Sequence, residues 1–232
     1  MNHFFAQKID EKLGQLGEQD SKHALKVLRL KVGSSISVSF GDGLIYQAEI
    51  CNVSKKNVVF SNLVLLRKQA MPKLEIAIAP TKSNDRFEWF LEKAVELGIA
   101  AIHPIICERS ERKVYKTDRG LRIMEAAFKQ SHKGYMPSLS DPVNLGQFLK
   151  RDLVQQRLVA SLNEGPKKSL HHLKADESCL VFIGPEGDFS AKEIKLLQGF
   201  DVDHLDLGPE VLRTETAALH IASTFAYKCQ SL

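Results

Sequence analysis

Two short apolar runs near the C-terminus of this chain each stop at a glycine-proline pair, and this punctuation constrains the fold more than any other feature. Leu180 to Ile183 ends at Gly184-Pro185-Glu186-Gly187, and His204 to Leu207 ends at Gly208-Pro209. Both runs have the composition of strands, proline fixes φ, and glycine admits left-handed backbone or the close approach of a ligand. Ser190 and Glu193 match a capping box opening a helix at Ala191, and Thr214 is the expected N-cap of a long apolar helix through Tyr227. The pattern predicts two strand-loop-helix units whose loops hold unpaired amides between a strand end and a helix start. Taken alone, a GPEG loop is equally an ordinary β-to-α turn.

The remainder of the chain divides at Pro72, which ends the polar linker Arg67 to Met71. Residues 1–71 read as strands over Ser35 to Phe40, Tyr46 to Cys51 and Asn57 to Leu66, with a hairpin signal at Gly41-Asp42-Gly43 and a short basic helix over Ser21 to Leu30. Residues 72–232 alternate strand and helix, the signature of an α/β domain. Leu74 to Ala79 is a strand. Asp85 and Glu88 form a D-x-x-E capping pattern before a helix whose apolar face is Phe87, Phe90, Leu91, Ala94 and Val95, ended by Gly98. A second strand, Ala100 to Ile106, is broken at His103-Pro104, and a helix from about Asp118 buries Leu121, Ile123 or Met124, and Phe128. Leu158 to Leu162 is a further strand, turning at Asn163-Glu164-Gly165-Pro166.

Charge is distributed unevenly. Residues 1–71 hold 10 Lys plus Arg against 6 Asp plus Glu, whereas the remainder balances at 22 against 22, so the net charge of +4 belongs to the first part. Within the second part, Glu108 to Lys133 carries 8 basic against 4 acidic residues. Such a stretch is either a solvated helix face or a set of phosphate contacts. No run is long and apolar enough to span a bilayer, and the start lacks a basic end followed by an apolar core, so the expected location is cytoplasmic. The 4 cysteines lie far apart without a CxxC pair, which argues against a zinc site or a disulfide framework and predicts free, mostly buried thiols.

Together, GPEG and LGPEVLRTETAAL resemble the SPOUT-class RNA methyltransferases, specifically the family that methylates N3 of a uridine in bacterial 16S ribosomal RNA. RFEWFLEKAVELGIAAIHPI resembles the first helix of that family's catalytic domain, and HALKVLRLKVGSSISVSFGDGLIYQAEI its PUA-like N-terminal domain, including Val27-Leu28-Arg29. The resemblance implies a PUA-like β-barrel RNA-binding domain over 1–71, then a SPOUT α/β methyltransferase domain over 72–232 with a C-terminal trefoil knot. It also implies S-adenosyl-L-methionine as cofactor with no metal, 16S ribosomal RNA or the small ribosomal subunit as substrate, and a homodimer. The last helix, rich in small alanines and apolar around much of its circumference, fits that dimer. Two positions depart from the family pattern. Asp188 stands where the family commonly has a second glycine, and Lys129-Gln130-Ser131-His132-Lys133 where it has an E-Q-S-x-R run.

The resemblance and the residues together nominate a site. Gly184, Pro185, Glu186, Gly187, Leu207, Gly208, Leu212, Thr214, Thr216 and Ala217 are the candidates for cofactor binding, because main chain can grip adenine and ribose where glycine lets it approach. Arg213 and Glu215 are the catalytic candidates, being charges where a loop becomes an otherwise apolar helix. For Glu215, simple stabilisation of the helix dipole is the alternative. Lys26, Arg29, Arg109, Arg112, Arg119, Arg122 and Lys133 are the candidates for RNA contact. A SPOUT enzyme acting on a ribose 2′-hydroxyl or another base, and a non-enzymatic RNA-binding protein, are the competing readings. A Rossmann-type methyltransferase is disfavoured, because Ala79-Pro80-Thr81-Lys82-Ser83 is not a glycine-rich turn.

Overall fold

A computed structural model describes residues 1–230 apart from 55, 154–155 and 164–165. The chain forms two compact units, one of residues 1–71 with 125–136 and the other of residues 72–124 with 137–232.

In the first unit, five strands close a barrel: β1 (His3–Lys8), β2 (Gly14–Leu16), β3 (Ser35–Ser39), β4 (Leu44–Val53) and β5 (Val58–Lys68), in the order β1-β2-β5-β4-β3. The β1–β3 pair that closes it is parallel and its other pairs are antiparallel. Alternating side chains fill the interior with Phe4, Ile36, Val38, Ile50, Val58 and Phe60. The first two strands escape a reading by pattern. β2 is too short to show a period, and β1 carries Gln7 and Lys8 at its end. The basic helix α1 (Glu18–Lys26) also stops earlier than its apolar pattern suggests. Arg29 takes a left-handed φ of 54°, and the Leu30 amide donates back to the Ala24 carbonyl at 2.9 Å, a closure that caps the helix while Leu28 and Leu30 still pack on the core. Residues 125–136 join this unit through Gly134, whose carbonyl accepts from Ser39 Oγ at 3.0 Å and from the Gly43 amide at 2.9 Å. A Cβ on Gly134 would lie 2.9 Å from the Gly43 backbone, so only glycine permits this approach.

The second unit is a sheet of eight strands: β6 (Leu74–Ile78), β7 (Ala101–Ile106), β8 (Ser138–Leu139), β9 (Val143–Asn144), β10 (Gln156–Ala160), β11 (Lys168–Ser169), β12 (Cys179–Ile183) and β13 (Asp203–Asp206). Their order is β11-β13-β10-β12-β6-β7-β8, with β9 on β7, and every pairing is parallel. Helices are α2 (Asn84–Leu97), α3 (Thr117–Gln130, which runs on into the first unit), α4 (Leu145–Phe148), α5 (Ala191–Gln198) and α6 (Thr214–Gln230). Burial of every residue of β12 explains its unbroken apolar run, since a parallel sheet is covered on both faces.

Three local expectations need correction here. Asp85 and Glu88 do not build a capping box; the N-cap is Ser83, and Glu88 turns inward to meet Arg119. His103-Pro104 does not break β7, for Pro104 pairs with Ile78 inside the ladder and the cost is one missing donor. On α3, Met124 and Phe128 are buried as expected, but Leu121 is 41% exposed. The turn expected at Asn163 to Pro166 lies partly outside the described residues. The cysteines are free thiols, Cys107 and Cys179 buried but Cys51 and Cys229 exposed. Because all strands are parallel, β6, β7, β10, β12 and β13 deliver their following loops to one carboxyl edge, where open α/β sheets bind ligands.

Candidate cofactor cleft and basic segment

β12 hands over to Gly184-Pro185-Glu186-Gly187-Asp188, a loop that bends back on itself through an Asp188 amide bond to the Pro185 carbonyl at 2.9 Å. Asp188 sits at φ 59°, a left-handed conformation that aspartate tolerates better than most residues. Phe189 is buried beneath it, and Ser190 and Glu193 then form the expected reciprocal capping box of α5. β13 leads into the second loop, where Gly208 has a φ of 106° and its amide donates to Asp206 Oδ1 at 3.0 Å. That loop ends at Thr214, the first residue of α6. Thr214 was expected to cap its own helix, yet its hydroxyl donates to the Gly184 carbonyl at 3.0 Å. A buried carbonyl without a partner is costly, so this bond ties the exit of the second loop to the entrance of the first.

Between the loops lies a cleft of about 260 Å³. Of the cofactor candidates, Gly184, Pro185, Glu186, Leu207, Gly208, Leu212, Thr214 and Ala217 line it, as does Arg213. Gly187 and Thr216 lie off the lining; a Cβ on Gly187 would meet Arg109 Cβ at 3.4 Å, and Thr216 is exposed. Glu215 also lies off it, 6% exposed, with Oε1 3.9 Å from Arg86 Nε and Oε2 without a hydrogen-bond partner. The sequence did not point to the third wall, which is Ser161 and Leu162 after β10. Its only signal was the apolar run into Leu162, and pairing of β10 beside β12 is needed to bring it there.

The cleft suits S-adenosylmethionine on three counts. Leu207, Val211, Leu212 and Ala217 offer apolar surface for adenine. Gly208 has nothing within 4 Å of its Cβ direction, so the space beside that backbone is open to a ligand. Among the charged lining residues, Glu186, Asp188, Asp206 and Glu210 outnumber Lys167 and Arg213, a balance that favours a ligand bearing a sulfonium and an amine.

The basic segment that follows β7 is knitted into the same edge. Arg109 Nη1 donates to the Gly187 carbonyl at 2.9 Å, and Arg112 donates to the Thr81 carbonyl at 3.0 Å and to the Lys82 carbonyl at 2.5 Å. Glu186 Oε1 accepts the Lys82 amide at 3.0 Å, and Lys82 Nζ meets Glu111 at 2.8 Å. Arg119 clasps the buried carboxylate of Glu88 at 2.7 and 2.8 Å, and Arg122 donates to the Asp118 carbonyl at 3.2 Å. These four arginines therefore hold protein groups as well as presenting charge, while Lys113 and Lys116 are exposed and carry no ion pair among the described residues. In the first unit Lys26 and Arg29 are exposed on and just past α1, and Lys133 precedes Gly134 in the segment docked on the barrel. Two histidines have structural partners. His103 bonds Glu75 at 2.9 Å, and burial pulls the pKa of His3 down to about 4.

Comparison with known proteins agrees with this geometry. An RNA methyltransferase domain family matches residues 68–226, and an RNA methyltransferase PUA domain family matches residues 16–61. The Bacillus subtilis ribosomal RNA small subunit methyltransferase E is 28% identical over 229 residues, 92% of this chain and 90% of the relative. The structure of a Porphyromonas gingivalis protein superposes with a TM-score of 0.87 at 31% identity, covering 100% of this chain and 99% of that one. Ribosomal RNA small subunit methyltransferase E of Neisseria gonorrhoeae, solved bound to S-adenosyl methionine, gives a TM-score of 0.83 at 25% identity over 96% of this chain and 95% of that one.

Proposed function

The chain belongs to the RNA methyltransferase family whose domain spans residues 68–226, and from that premise we propose that it methylates N3 of a uridine in the RNA of the small ribosomal subunit. The observation that carries the reading is the cleft between two loops joined by the Thr214–Gly184 bond, in a chain that matches small-subunit methyltransferases over nearly its whole length. We take residues 72–232 as the SPOUT catalytic part and 1–71 as the PUA-like RNA-binding part, with the trefoil threading of the two loops included in the proposal.

S-adenosylmethionine supplies the methyl electrophile when bound, so the protein must hold it, exclude water and present the base. Main chain of Gly184, Pro185, Leu207 and Gly208 would hold the cofactor, and Leu212 and Ala217 would offer apolar surface to its adenine. Arg213, exposed on the cleft lining, favours the anionic form of the uridine once its N3 proton has passed to solvent, because a nearby guanidinium stabilises the anionic base. Glu215 acts from behind as the buried counter-charge of Arg86. Since N3 lies on the pairing edge, the uridine reacts unpaired or flipped out. Lys26, Arg29, Lys113 and Lys116 make phosphate contacts, with the knitted arginines contributing field. The substrate places this work in the cytoplasm.

A homodimer completes the proposal. Ala217, Ala218, Ile221, Ala222 and Phe225 of α6 are already buried within one chain, so the dimer surface we propose draws instead on the exposed aromatic side chains of α2 and α6, two helices that pack on each other: Trp89, 48% exposed, and Tyr227, 71% exposed. Sedimentation as a monomer at assay concentration would remove it. The activity itself is tested by nucleoside mass spectrometry of small-subunit RNA from cells with and without the gene. Loss of 3-methyluridine is the expected result, whereas loss of a 2′-O-methyl nucleoside would reassign the target.

A further inference from the structure

We propose that Asp188 is a positioning residue of the cofactor cleft, a latch that holds the β10 loop against the β12 loop. The inference deepens the cofactor reading given above and rests on it. Two independent observations support it. The backbone of Asp188 is held at φ 59°, a conformation that glycine would adopt without strain, so the side chain is kept there against a backbone cost. Its carboxylate is also fully aimed: Oδ1 accepts the Phe189 amide at 2.8 Å, and Oδ2 reaches 26 residues back in the chain to accept the Leu162 amide at 2.9 Å.

The second bond is the one that shapes the cleft. Leu162 follows β10 and lines the wall facing the second glycine-proline loop, and the Asp188–Leu162 bond fixes how far that wall stands from Gly184 and Pro185. Lys167 Nζ donates to the Ser161 carbonyl at 2.9 Å, so the single peptide group joining Ser161 to Leu162 is held at both its C=O and its N–H. An acceptor that bears full charge strengthens the amide bond. It also lies on the lining of a cleft whose ligand is cationic. Among the described residues of the β10 loop no other hydrogen bond reaches the β12 loop, whose neighbouring ties run instead to Lys82 and Arg109.

Three substitutions separate the latch from backbone strain. Asp188→Gly relieves the left-handed conformation and removes both acceptors; Asp188→Asn keeps tolerance of that conformation and one acceptor; Asp188→Ala loses both benefits. Two readouts are taken on the unliganded protein and on its titration with S-adenosylmethionine: amide hydrogen exchange at Leu162 and calorimetric affinity. The latch predicts that Asp188→Gly keeps its thermal midpoint, exchanges the Leu162 amide faster and binds the cofactor about tenfold or more weakly, with Asp188→Asn in between. Unchanged Leu162 exchange and unchanged affinity in Asp188→Gly would overturn the latch. Failure of the wild-type protein to bind would instead overturn the cofactor reading. A fall in affinity that tracks the thermal midpoint through Asp188→Ala, with Asp188→Gly as good as wild type, would assign the residue to folding alone.

Discussion

The two glycine-proline loops share the tripeptide Gly-Pro-Glu and stand in opposite physical states. Gly184 and Pro185 are buried, and the loop they begin is braced from four directions: Glu186 to the Lys82 amide, Gly187 to Arg109, Asp188 to Leu162, and Gly184 to Thr214. Gly208 to Arg213 has few such ties. Pro209, Glu210 and Arg213 are exposed and Val211 is 75% exposed, and the described bonds are those of Gly208 to Asp206 and of the helix start. The same three residues thus build a fixed wall in one place and an open lip in the other. The difference arises from what the parallel sheet sets beside each loop. The first follows a central strand, with loops from neighbouring β10 and β6 on either side, and the second follows β13, whose outer neighbour is the two-residue β11. Local sequence supplies the turn, and strand order decides its rigidity.

The sharpest way to break this contrast is to place the same substitution in each loop. Gly208→Val introduces a β-branched residue at φ 106° with its side chain in open cleft space, and should weaken S-adenosylmethionine binding by at least ~100-fold, about 3 kcal/mol. Gly187→Val, which sits off the lining against Arg109, should cost less than about tenfold. Calorimetry on both proteins checks the pair, and equal losses would mean the loops are not different in kind. Arg213→Ala removes a charge from the lip without touching the wall. It should leave cofactor affinity within a few-fold and lower the single-turnover rate by about 10²-fold, on the order of 3 kcal/mol. Normal turnover at saturation with lost affinity would assign Arg213 to the cofactor.

Smaller effects are expected where the loops are joined and braced. Thr214→Val deletes this bond, leaves the Gly184 carbonyl buried and unpaired, and should lower stability by about 1–3 kcal/mol in chemical denaturation. Arg109→Ala removes one exposed brace of the wall and should cost roughly 0.5–1.5 kcal/mol. A Thr214 effect smaller than the Arg109 effect would contradict the view that the Thr214–Gly184 bond is the principal tie between the lip and the wall.

How much of this was legible in the sequence follows from range. β12, the Ser190–Glu193 capping box and α6 were readable because strand composition, caps and helical periodicity are local. The resemblance of GPEG and LGPEVLRTETAAL supplied the cofactor and most of the lining. Glu88 was misread because a D-x-x-E pattern at a helix start looks the same whether the acid caps the helix or turns inward to an arginine 31 residues away. The wall at Leu162 and the spent guanidinium groups of Arg109 and Arg112 depend on strand order and on pairings across 26 to 78 residues, which no local pattern encodes. Barrel strands β1 and β2 were missed for the opposite reason, since each is too short or too polar to announce itself and is held by its neighbours.

Hydrogen exchange read by mass spectrometry, with and without saturating S-adenosylmethionine, tests most directly the claim that a fixed wall and an open lip together form the cofactor site. In the free protein the amides of Asp188, Phe189 and Ser190, which donate to Pro185, Asp188 and Glu193, should exchange slowly and those of Glu210 to Arg213 rapidly. Adding the cofactor should slow exchange at 207–213 strongly and at 184–190 only slightly, with little change in the barrel. Protection confined to the barrel, or no change at 207–213 under saturation, would contradict the account.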